Sequence, residues 1–275
     1  MLTGLIILPM YDVTPESMAE INYTNRDVIQ VLKWVTFFFH LGAFIVPALV
    51  FSRLYAFEPK EYLLNISPSN WKYFVLILLF FPILIILNEG LIQINMQLDV
   101  SSFAPELQNQ MEQDYENMGQ FINGFSSGGV FNFLMNVLLI AVVPAISEEL
   151  VFRGVLQNLL VKWSQKVHLS VVFCAFLFAF LHFQYLDFLP RFFMGVMFGY
   201  IVLYTGNLIY TILLHFLNNL FALSFHYALK EKIITEESIV FHWYHYLVAV
   251  LCLGYFIYKL KKISIKDMVI GIYKR

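Results

Sequence analysis

The sequence predicts an all-α fold, a polytopic transmembrane helix bundle of about seven spans. Two observations carry this. Of 275 residues, 60% are hydrophobic and only 13% are charged, whereas a soluble domain is about half apolar and a quarter charged. Apolar runs of about 20 residues, enough for a helix to cross roughly 30 Å of hydrocarbon, recur along the chain. A water-soluble globule is excluded, and so is disorder. The charges nearly balance, 17 Lys+Arg against 19 Asp+Glu, so no basic surface suggests nucleic acid as a partner. Cys174 and Cys252 both fall in apolar runs. They can make at most one bridge, so no disulfide framework or Cys-rich metal site is encoded.

Taken in order, the spans are expected over residues 28–51, 73–96, 130–163, 168–189, 192–205, 208–229 and 243–258. The third is interrupted by Pro144 and by charges. Residues 2–10 are apolar but too short to cross, which suits an interfacial segment or the stump of an eighth, first helix. A basic n-region and a small-residue cleavage site are both missing there, so a signal peptide is not expected. The chain divides into this N-terminal segment (1–27), the first spans with an acidic outer loop (28–128), a helical core (129–229), and an outer loop, last span and basic tail (230–275).

Loop charge orients the bundle, because Lys and Arg gather on the cytoplasmic side. Residues 98–129 hold Asp99, Glu106, Glu112, Asp114 and Glu116 and no Lys or Arg. That segment is expected outside, whereas Arg53, Lys60 and Lys72 place the preceding loop inside. Lys162 and Lys166 follow the third span, and Lys259, Lys261, Lys262, Lys266, Lys274 and Arg275 follow the seventh. The expected product is a multi-pass protein of a bacterial-type plasma membrane, its C-terminus in the cytoplasm.

Ionisable side chains at mid-bilayer cost roughly 2.5 to 3.5 kcal/mol even on lenient scales, so they are functional candidates by default. The third span carries three in Ser147-Glu148-Glu149-Leu150-Val151-Phe152-Arg153. Glu149 and Arg153 lie four apart on one face, acid before base, the favourable order for an ion pair. Glu148 points about a hundred degrees away and needs a partner from another helix. Candidates are His182 in the fourth span, and His215 and Asn219, four apart on one face of the sixth. At about 1.5 Å per residue, Glu148 and His182 lie roughly 22 and 21 Å above the inner ends of their spans, and His215 and Asn219 roughly 14 and 20 Å. The four side chains can therefore converge.

The ordered set Glu-Glu-x-x-x-Arg, Phe-x-x-x-His and His-x-x-x-Asn, each on an apolar helix, resembles the CPBP family of intramembrane proteases. That group includes type II CAAX prenyl endopeptidases and bacteriocin-processing or immunity proteins. The resemblance covers roughly residues 130–225. It implies catalytic roles for Glu148, His182, His215 and Asn219, with Glu149 and Arg153 in support. CAAX-type members resemble an eight-helix bundle, and a missing first helix would reconcile that with seven spans.

Peptide hydrolysis requires an activated water, a stabilised oxyanion and a proton for the leaving amine. Glu148, helped by His182, suits the general base, and His215 with Asn219 suits the oxyanion site. A second scheme stays open, in which Glu148, His182 and His215 bind a divalent metal such as zinc with an open position for water. Membrane lipid and a peptide or protein substrate, prenylated in the family's CAAX-type members, are the expected partners. Rival readings are a proton-coupled transporter and a catalytically silent scaffold or immunity protein. No inverted repeat or matched pair of broken helices supports transport. Elsewhere, Lys33 is expected to snorkel, His40 to bond a neighbour, and His226, His242 and His245 to belong to an aromatic belt with Trp243, Tyr244 and Tyr246.

Overall fold

The structure is a computed structural model that describes residues 11, 13, 14, 21–23, 25–55, 70–125, 129–235 and 240–273. The apolar segment 2–10 and the side chains of Lys60, Lys274 and Arg275 lie outside the described residues. Among those described there are eight helices and no strand. Helix α1 joins Arg26–Phe39, a π-helical turn His40–Ile45 and Val46–Tyr55. Next come α2 (Trp71–Asn95) and α3 (Pro105–Phe125). Helix α4 (Val130–Ser164) contains two π-helical segments, Val137–Val142 and Leu150–Leu156. The rest are α5 (Val167–Phe180), α6 (Phe188–Thr205), α7 (Ile209–Lys230) and α8 (Trp243–Tyr273).

Five stretches are long and apolar enough to cross a membrane: Arg26–Leu54, Trp71–Asn95, Val130–Ser164, Tyr185–Thr205 and Ile209–Lys230. They coincide with five of the expected spans. The expected seventh is the first half of the 31-residue α8. The expected fourth, over 168–189, is a shorter apolar helix of 14 residues. Apolarity continues past Phe180 in the sequence, but Phe183 takes a positive φ of 55° and ends the helix. Asn95, fully buried at the end of α2, pins the turn that follows. Its Nδ2 donates to the Tyr185 carbonyl at 2.9 Å, and its Oδ1 accepts from the Leu189 amide at 2.7 Å.

Local signals set several ends. Asn25 and Asn70 cap α1 and α2, their Oδ1 atoms accepting from backbone amides of the first turn. Gly206 closes α6 with φ +64° and a 2.8 Å bond from its amide to the Val202 carbonyl, the left-handed ending that glycine allows. Asn207 Oδ1 then accepts from the Ile209 amide and starts α7.

The acidic loop expected over 98–129 is largely helix α3. Met111, Met118 and Phe125 recur at helical spacing, and Met111 and Phe125 are buried, so this stripe packs the helix onto α1 and α7. Lys33 does not snorkel. Only 5% exposed, it sits with Nζ 5.3 Å from the centre of the Phe125 ring, because α3 covers that face of α1.

The largest core lies between α2, α6, α7 and α8, where Phe80 of α2 stacks on Phe256 of α8 at 3.9 Å. Leu79, Leu247 and Leu251 face outward, as helix surfaces facing lipid do. Helix α6 approaches α5 through Gly195 and Gly199, a Gly-x-x-x-Gly stripe that lets backbones come close. A Cβ at Gly195 would lie 2.9 Å from the Cβ of Ala175, and one at Gly199 would lie 2.7 Å from Val171 and from Gln157. Gly195→Val is therefore expected to cost about 1–3 kcal/mol by overpacking. It should lower the unfolding temperature in detergent, while Gly119→Val, where nothing stands within 4 Å, should not.

Candidate active site

Glu148 and Glu149 end the helical stretch Val143–Glu149 of α4, between its two π segments. Such bulges rotate the residues that follow and are frequent at functional sites. Both carboxylates are buried, Glu149 completely. Arg153 Nη1 donates to Glu149 Oε1 at 2.7 Å, which is the ion pair that the four-residue spacing predicts. The guanidinium is 1% exposed. It packs 4.5 Å from the Phe178 ring and 5.3 Å from Phe198, and its Nη2 donates to the Gly195 carbonyl at 3.1 Å. The close approach of α6 at Gly195 supplies that carbonyl.

His182, in the turn that follows α5, and His215 of α7 face Glu148. Each Nε2 lies 3.8 Å from Glu148 Oε2. His182 Nδ1 meets the Phe178 carbonyl at 2.6 Å, and His215 Nδ1 meets Glu149 Oε1 at 3.2 Å. A carbonyl and a carboxylate only accept, so each Nδ1 carries the proton. In a neutral ring each Nε2 then presents a lone pair. Two imidazole nitrogens thus approach one carboxylate oxygen at separations too long for direct hydrogen bonds. Phe178 stands edge-on to both rings, at 4.8 and 6.0 Å.

Asn219, one turn beyond His215, donates from Nδ2 to the Ile140 carbonyl at 3.3 Å. Pro144 lies four residues after Ile140 and has no N–H. The carbonyl therefore loses its α-helical donor, and the amide of α7 reaches it. The six residues singled out from the sequence thus lie around one site, three on α4, two on α7 and His182 in the turn after α5. Glu148, His182, His215 and Glu149 meet directly, and Asn219 joins through α4.

Three contributors were not read from the sequence as part of this site. His40, in the π turn of α1, is hydrogen-bonded through Nδ1 to Ser147 Oγ at 2.8 Å, beside Glu148. Arg191 of α6 binds Gln184 through its side-chain and main-chain oxygens and lies 3.5 Å from Asp187 Oδ2, bracing the turn after His182. Gln157 donates to the Gly199 carbonyl at 3.2 Å. An Arg seven residues from a Gln gives no period that marks it. A cavity of about 270 Å³ opens on His182, walled by Asp114, Asn117 and Phe121 of α3.

A zinc ion held tetrahedrally by bonds of about 2.0–2.1 Å would bring its donors to about 3.3 Å from one another. The 3.8 Å separations around Glu148 are wider. Among the described residues no group of three or more His, Cys, Asp or Glu is arranged to hold a metal ion. The donors as they stand do not fit a zinc site, and no step is derived through one.

No curated protein and no solved structure matches the chain. A family model does match part of it, over residues 130–221, a range that contains all six site residues and nearly all of the stretch carrying the resemblance to CPBP proteases. Its description is type II CAAX prenyl endopeptidase Rce1-like, and over those residues, a part of a membrane helix bundle, the chain is similar to that family.

Proposed function

We propose that the chain is an intramembrane endopeptidase that hydrolyses a peptide bond of a membrane-associated or prenylated protein. The observation that carries this is the approach of two imidazole Nε2 atoms, whose Nδ1 atoms are already engaged, to Glu148 Oε2. A water beside Glu148 Oε2 would have the carboxylate and His182 Nε2 as acceptors for its two protons. Glu148 removes a proton as the water oxygen attacks the scissile carbonyl carbon, and His182 Nε2 accepts the water's other hydrogen bond. The carbonyl oxygen becomes an oxyanion.

Asn219 has two N–H groups and Ile140 takes one, so the second donates to that oxyanion. His215, carrying a second proton on Nε2 before the step begins, donates it as a hydrogen bond to the same oxyanion, its Nδ1–H held by the Glu149 carboxylate. Collapse of the tetrahedral intermediate breaks the C–N bond, and the proton on Glu148 passes to the leaving amine. Glu149 and Arg153 hold His215 and the α4 helix face in place. The substrate enters from the cavity beside His182, under α3. The charge bias of the loops supports an outer position for α3 and a cytoplasmic C-terminus in a bacterial-type plasma membrane.

Purified protein in detergent is expected to cleave an internally quenched farnesylated Cys-aliphatic-aliphatic-X peptide at a defined bond. Dialysis against EDTA should leave the rate unchanged. An uncut peptide would overturn the prenyl-substrate reading, and a rate lost to EDTA and restored by zinc would return the metal scheme.

A further inference from the structure

Asn219 does not act alone. Its Oδ1 accepts from Asn218 Nδ2 at 3.5 Å, and Asn218 Oδ1 accepts from Asn88 Nδ2 of α2 at 3.3 Å. Three amides thus run from α2 to α7 and end on the Ile140 carbonyl of α4. Ile140 can only accept, so Asn219 must turn its nitrogen toward α4 and its oxygen toward Asn218. Asn218 must then donate, which leaves its own oxygen for Asn88. Asn88 is 8% exposed, deep in a membrane-spanning helix, where an amide without purpose is costly. It also lies outside the 130–221 domain.

Resting on the reading of Asn219 as an oxyanion donor, we propose that Asn88 is a positioning residue. Through Asn218, it holds the Asn219 amide in the orientation that the Ile140 carbonyl selects, with the nitrogen end toward the reacting carbonyl. Either end of an amide fits the same volume, and with the ends exchanged an oxygen would meet the oxyanion and repel it. Helix α2 therefore contributes to turnover without touching substrate. Because the oxyanion forms only during reaction, loss of this control lowers kcat and leaves KM in place.

The test uses the full chain in detergent and the farnesylated quenched peptide. Asn88→Leu, which keeps the branched shape and removes the donor, is expected to lower kcat about tenfold at unchanged KM. Asn88→Gln should recover most of the loss, because it keeps an amide donor. Asn219→Ala should cost about 10²–10³-fold, and Asn88→Leu added to it should cost nothing more. Should Asn88→Leu unfold in a thermal scan, Asn88→Ala takes its place in the same cycle. A wild-type kcat for the Asn88 variant would overturn the proposal. So would a tenfold loss that persists in the Asn219→Ala background, and that result leaves the oxyanion reading standing. Wild-type turnover by Asn219→Ala would overturn the oxyanion reading and the proposal with it.

Discussion

Glu148→Gln is expected to abolish cleavage, with kcat falling about 10²–10⁴-fold, the usual contribution of a positioned general base. The amide is nearly isosteric with the carboxylate and can donate to either Nε2 that Glu148 Oε2 faces at 3.8 Å. Folding should therefore survive, and KM should move little. Membranes from cells making the wild-type chain should contain protein termini that are absent from Glu148→Gln membranes. Identical termini in the two would remove the hydrolase reading. A phenotype that needs the protein but tolerates Glu148→Gln and His182→Ala would favour the silent scaffold instead.

Arg153→Leu should show the largest effect on stability. It leaves the fully buried Glu149 carboxylate facing His215 without its cation, and breaking a buried pair from one side costs about 3–5 kcal/mol. Detergent-solubilised Arg153→Leu is accordingly expected to melt well below the wild type or to fail to accumulate. The double variant Glu149→Leu/Arg153→Leu removes both charges and should regain much of that stability. It should remain inactive, because His215 Nδ1 then has no carboxylate to fix its ring. Equal activity in the double variant and the wild type would show that the pair serves packing alone.

Much of this architecture was legible where one dimension of the sequence suffices. Hydropathy located the spans, because lipid demands long apolar helices. The four-residue interval gave the Glu149–Arg153 pair, and counting depth along three spans brought Glu148, His182 and Asn219 to one level, with His215 a turn away. What was hidden depends on neighbours in space. Nothing in the local order of α4 says that His215 bridges both glutamates, or that Arg153 ends on Gly195 of a helix forty residues later. Pro144 marked an interruption, but not that it frees the Ile140 carbonyl for Asn219. Helix α3 escaped because its apolar stripe is diluted by acids and amides, so a search for continuous hydrophobicity passes over it. The fourth span was drawn too long because Leu181, Phe183 and Leu186 remain apolar after the backbone has turned.

That early turn has a bearing on how hydrolysis can proceed inside a lipid environment at all. Fourteen residues rise roughly 21 Å, well short of the roughly 30 Å hydrocarbon layer. His182 sits just past the foreshortened end, partly exposed beside the cavity under α3. A helix this short leaves the imidazole near the mouth of that cavity and not sealed in hydrocarbon. The proposed hydrolysis would consume one molecule of solvent per turnover, and the truncated helix offers it a route in.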